Sequence, residues 1–117
     1  MSPSRRRWKF RLRHMLEAIN KTLDYTRGMT FNQFRADTRT VDAVARNLLV
    51  LGEAARHIPL EVEIRYPRVP WRNIRAMRNV LAHNYERVDL VIIWDTVQRD
   101  LPPLVPLLEE VLKEVEE

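Results

Sequence analysis

The sequence predicts an all-α protein, a bundle of four to five main helices. Apolar residues recur at three- and four-residue intervals, only two glycines occur among 117 residues, and 45% of the chain is hydrophobic. Together these favour long amphipathic helices joined by few tight turns. A chain of this length buries roughly two-thirds of its unfolded surface in a single core, so no stable second domain fits.

Residues 1–7 read as a basic, disordered start and residues 8–117 as one helical domain. Trp8, Leu12, Met15, Leu16, Ile19 and Leu23 mark a first helix that Gly28 ends. Thr30-Phe31-Asn32-Gln33 has the form of a capping box and opens a short helix. Asp37 or Thr38 can then cap a long one, whose stripe of Val41, Val44, Ala45, Leu48, Leu51, Ala55 and Ile58 makes it the best core helix. Its Glu53 and His57 sit four apart, too few ligands for a metal and better read as a surface pair, so no metal site and no cofactor is expected. Residues 60–66 form a short helix or turn closed by Pro67, and Pro70 leads into a helix over residues 71 to about 84. Asp89 caps a helix over residues 90–100 with Val91, Ile92, Trp94, Val97 and Leu101 as its apolar contacts. Pro102 and Pro103 are expected to kink the chain before a last helix built on Leu104, Leu107, Leu108, Val111 and Leu112.

Charge is unevenly placed. The chain carries a net +4, yet residues 1–14 hold Arg5, Arg6, Arg7, Lys9, Arg11 and Arg13 and no acid, which leaves the remainder at −2. Cations at a helix N-terminus oppose the dipole, so this cluster does not serve helix stability. With Trp8 and Phe10 it could be an RNA-binding arm, in which cations hold phosphates and aromatics stack on bases. The plainer reading is a solvated helix start whose aromatics pack inward. Absence of cysteine excludes disulfides and thiolate metal sites. No apolar run approaches the ~18 residues of a membrane span, and the basic start lacks the apolar segment of a signal peptide, so a cytoplasmic protein with no membrane partner is expected.

The densest chemistry lies in residues 75–85. Arg78 is followed by Asn79, after four residues by His83, and then by Tyr85. Seventeen arginines and three histidines in 117 residues give about 0.4 Arg-to-His pairs at any fixed offset by chance, and requiring the tyrosine lowers this to about 0.01. A histidine exchanges a proton near neutral pH, and an arginine holds a phosphate through two parallel hydrogen bonds. At about 100° per residue, Trp71, Ile74, Met77, Arg78, Leu81, Ala82 and Tyr85 share one arc, and Arg72, Arg75, Asn79 and His83 a neighbouring polar one. Arg78 therefore falls within an apolar stripe and should meet an acid of this chain, a second subunit or a phosphate. Arg78 and His83 lie about 140° apart around the axis, so the site needs the helix to end near His83 or groups from a partner subunit.

These residues resemble the Arg-polar-x-x-x-His motif of the HEPN superfamily, in the Arg-x-x-x-x-His-x-Tyr form of the HepT-like toxins. Val50-Leu51-Gly52-Glu53-Ala54-Ala55 and Pro67-x-x-Pro70-Trp71-x-x-Ile74-x-x-Met77-Arg78-Asn79 extend the likeness to roughly residues 12–104. The resemblance implies a HEPN-type helical bundle and a homodimer with a composite site. It also implies a metal-independent ribonuclease, paired with a nucleotidyltransferase antitoxin that adds AMP to Tyr85. The arginine-rich beginning looks like an addition to the pattern that could change substrate choice.

If the site cleaves RNA, the ribose 2′-hydroxyl is the nucleophile. His83 would then move a proton to or from the 2′- or 5′-oxygen, Arg78 would stabilise the phosphorane charge, and Asn79 would orient the phosphate or the imidazole. Tyr85, about two turns from Arg78 on the same side, could touch substrate; an AMP there would block the site and satisfy the arginine. Arg72 and Arg75 join Arg5, Arg6, Arg7 and Lys9 as candidate RNA contacts. The rival expectation is a non-catalytic helical subunit of a nucleotidyltransferase that binds nucleotide or RNA without cleaving it.

Overall fold

The structure is a computed structural model that describes residues 3–79 and 89–116. Among these residues every regular element is helical. They are α1 (Pro3–Thr26), α2 (Phe31–Ala36), α3 (Thr38–Ala55), α4 (Leu60–Arg65), α5 (Trp71–Ala76), α6 (Leu90–Asp95), a π-helical turn (Thr96–Asp100) and α7 (Leu101–Glu116). None of the described helices is long and apolar enough to cross a membrane.

The core forms where the apolar stripes of the three long helices meet. α1 packs most extensively on α3 and next on α7. Leu12, Met15 and Ile19 of α1, Val44, Leu48 and Leu51 of α3, and Leu101 and Leu108 of α7 are all but fully removed from water. At roughly 25 cal/mol per Å² of apolar area, burial of this kind is the dominant stabilising contribution. α1 begins at Pro3 rather than at the expected Trp8; proline suits the first helical position because its missing N–H would have no intrahelical partner there. The buried hydroxyls of Thr22 and Thr26 donate back to Ala18 O (2.8 Å) and Thr22 O (2.9 Å), so neither costs an unmet donor. Gly28, at φ 76°, turns the chain out of α1 in a conformation that other residues rarely adopt.

The expected caps are present. Gln33 N–H donates to Thr30 Oγ1 (3.2 Å) while Thr30 N–H donates to Gln33 Oε1 (2.9 Å), which closes the box at the start of α2. Phe34 of α2 is fully buried with its ring 5.1 Å from that of Trp94, which ties α2 to α6. Asp37, rather than Thr38, caps α3: it accepts from Thr40 N–H (3.1 Å) and Thr40 Oγ1 (2.8 Å), and these two bonds hold its carboxyl below the usual carboxylate range.

Two expectations are corrected. The prolines do not separate two helices, because Thr96–Asp100 adopts a π turn and α7 follows directly through Pro102, Pro103 and Pro106. Leu101 N–H donates to Thr96 O, five residues back, and this widened turn takes up the ring clash and the missing donors of Pro102 and Pro103. On α6 the core residue is Ile93, whereas Val91 and Ile92 are exposed. The run Leu90-Val91-Ile92-Ile93 is apolar on every side, so its pattern alone does not choose the inward face.

Candidate active site

The expected motif helix is interrupted by a turn, after which Asn79 is again helical; its remaining residues, 80–84, lie outside the described residues. α5 ends at Ala76, and Met77 and Arg78 form a turn in which Met77 N–H donates to Ile74 O (3.2 Å). Met77 keeps right-handed dihedrals, so the turn is a tightening that an apolar repeat cannot register. Trp71, Ile74 and Met77 are buried as their shared arc requires, and Trp71 Nε1 donates to Tyr66 O at 3.0 Å.

The next residue, Arg78, sits against α3. A Cβ placed on Gly52 would lie 2.8 Å from Arg78 Cβ, 3.0 Å from Arg78 N and 3.2 Å from Arg75 O, so only glycine permits this approach. Beside it, Glu53 Oε2 accepts from Arg78 Nη1 at 3.1 Å. The acid that Arg78 required is thus intramolecular. Glu53 also holds Arg56 Nη1 at 3.3 Å, while His57 Nε2 stands 3.9 Å from its other oxygen, so the Glu53–His57 spacing belongs to an ion-pair cluster at the surface.

Arg78 and Glu53 line a cleft of about 450 Å³ with Arg11 and His14 of α1 and Leu49, Val50 and Ala54 of α3. Among the other candidates, Arg75 is paired with Glu63 of α4, and Arg72 and Asn79 are exposed. Arg7 is exposed and Lys9 half-buried on α1, whose first turns also carry Arg5 and Arg6. His83 and Tyr85 lie outside the described residues.

Sequence reasoning missed three contributors. Glu53 stands near His57 as the spacing expects, but it also holds Arg78, which the spacing does not reveal, although a glycine inside a strongly helical pattern is a sign of close packing and Gly52 stands next to it. Arg11 was one cation among six, and His14 carried no spacing signal. Only the packing of α1 on α3 brings either to Arg78.

Fold and site together define a small helical-bundle domain with an arginine-lined cleft between its first and third helices and the turn after its fifth. The family model described as Ribonuclease HepT-like matches residues 15–111. The chain belongs to this HepT-like family. It is 37% identical over 102 residues to a Methanocaldococcus jannaschii protein provisionally named an RNase, covering 87% of this chain and 84% of that one. It is likewise 37% identical over 102 residues to a Thermococcus cleftensis protein named a probable ribonuclease HepT, at 87% and 93% coverage. A longer M. jannaschii protein, named a gamma-glutamylcyclotransferase and provisional RNase, shares 37% identity over 109 residues, which are 93% of this chain but 48% of that one. No solved structure matches the chain.

Proposed function

We propose that the chain is a metal-independent endoribonuclease and the toxin of a toxin–antitoxin pair. The observation that carries the reading is Arg78, hydrogen-bonded to Glu53, lining the α1–α3 cleft together with Arg11. Family membership and the ribonuclease names of the relatives support the same class of activity. A phosphodiester drawn to Arg78 would have its developing negative charge met by a guanidinium that stays charged at all working pH. The adjacent ribose 2′-hydroxyl attacks the phosphorus, the 5′-oxygen leaves, and His83 moves the proton. Asn79 orients the phosphate or the imidazole. A homodimer would place two His83 residues in one composite site, so that one serves as base and the other as acid. Leu49 and Val50, apolar yet 42% and 36% exposed beside the cleft, are surface that a second copy would cover.

Inhibition follows from the same site. A nucleotidyltransferase antitoxin would transfer AMP to the Tyr85 hydroxyl, and the attached phosphate would compete with RNA for Arg78. One experiment tests both halves: intact mass and RNA cleavage without added metal, before and after incubation with a nucleotidyltransferase of the proposed antitoxin class and ATP. Whole-AMP increments at Tyr85 with loss of cleavage are expected. Binding of RNA with neither cleavage nor increment would instead identify a non-catalytic binding subunit. His83→Ala should lower the cleavage rate by about 100-fold or more, and retained wild-type rates would remove it from the mechanism.

A further inference from the structure

Arg11 lines two neighbouring clefts. It faces Arg78 and His14 in the first, and in the second, of about 480 Å³, it stands with Arg7, Trp8, Phe10, His57 and Pro59. Residues 7, 11 and 14 are spaced by four and three, so at about 100° each they form a row along one face of α1, roughly 10 Å long. Phe10 flanks this row. It is 55% exposed, so the core does not account for it, and its ring centroid lies 4.3 Å from that of His14. Among the described residues no ion pair engages Arg11, and the acid lining the first cleft, Glu53, is bonded to Arg78 and Arg56.

We infer that Arg11, Phe10 and His14 form a substrate subsite adjoining the phosphate held at Arg78, taking the next phosphate and an unpaired base of a single RNA strand. The inference rests on the ribonuclease reading. Arg11 supplies the guanidinium for the neighbouring phosphate, and Phe10, its ring set by His14, supplies the face on which a base stacks. Stacking of this kind is insensitive to base identity but needs the base free of a duplex, since a paired and stacked base offers no face. The basic start of α1 thereby becomes a continuation of the catalytic cleft, directing the strand from Arg78 towards Arg7.

The test uses the full chain with Phe10→Ala, Arg11→Ala and Arg11→Lys, against an unstructured ten-nucleotide RNA and a dinucleotide. For the decamer, Phe10→Ala and Arg11→Ala should each raise KM about tenfold, with a smaller effect on the dinucleotide, and Arg11→Lys should recover part of the loss. Fluorescence anisotropy with the labelled decamer should give the same weakening, and Arg11→Ala should flatten the salt dependence by nearly one phosphate contact. Unchanged KM and affinity, or equal losses on both RNAs, would overturn the subsite. A change in oligomeric state without a change in RNA affinity would overturn it in favour of a second copy seated on Phe10. If wild-type protein binds the decamer without cleaving it, the ribonuclease reading fails, and the anisotropy of the variants decides the subsite alone.

Discussion

At the scale of single residues, Gly52 and Glu53 act as a unit on Arg78. In an exposed helix, glycine to alanine is worth about 0.5–1 kcal/mol in favour of alanine. At position 52 the sign reverses, because the added carbon would stand 2.8 Å from Arg78 Cβ and α3 and the Arg78 turn must separate. Gly52→Ala is expected to destabilise the fold by roughly 1–3 kcal/mol and to lower cleavage with it, as thermal denaturation and rate assays would record. Glu53→Gln should behave differently. The side chains of the ion pair are 39% and 47% exposed, so its loss should change stability by less than about 1 kcal/mol. Cleavage should still fall, since Arg78 is no longer oriented. A variant as active as wild type would leave Glu53 with no positioning role.

Among the elements, α3 depends on its first turn as well as its stripe. The Asp37 carboxylate, stabilised by the Thr40 amide and hydroxyl, gives up a proton more readily in the folded chain than in the unfolded one. Its contribution is therefore complete above the ordinary carboxylate value of about 3.9 and is lost as pH falls through the lower folded value. Asp37→Ala should lower Tm at pH 7 by about 5 °C, and the gap from wild type should close as pH drops below about 4, as thermal scans across that range would check. The π turn before α7 is the other local device. It precedes Pro102 and Pro103 without ending the helical run, and Val97, Leu101 and Leu104 are all buried.

For the molecule as a whole, the proposed composite site would tie catalysis to assembly. A composite site predicts that sedimentation equilibrium will give twice the 14.0 kDa chain mass under the conditions of RNA cleavage. A monomer that cleaves RNA at full rate would exclude the composite site and place acid and base within one chain. Little of the cleft itself could be read from the sequence. The periodicity located the stripes of α1, α3 and α5, and the rarity of the Arg-His-Tyr spacing singled out Arg78. Nothing in either pattern links residues 11 and 14 of α1 to Glu53 of α3 or to Arg78, and these meet only when the three parts of the chain pack.

What the sequence by itself determined is much of what neighbours along the chain govern: helix class, the Thr30 cap, a cap for α3 at Asp37 or Thr38, the Gly28 turn, the burial of Leu12, Leu48 and Ile74, and the spacing of the motif. What only the tertiary structure decided is pairing across elements: Glu53 with Arg78 as well as with its neighbour His57, Arg75 with Glu63, and Arg11 and His14 with the motif arginine. The division has one physical cause. Hydrogen bonding and amphipathic spacing act within a few residues and leave a periodic trace. An ion pair between residues 25 apart in the chain depends on how closely α3 and the Arg78 turn approach, and here that distance is set by the missing side chain of Gly52.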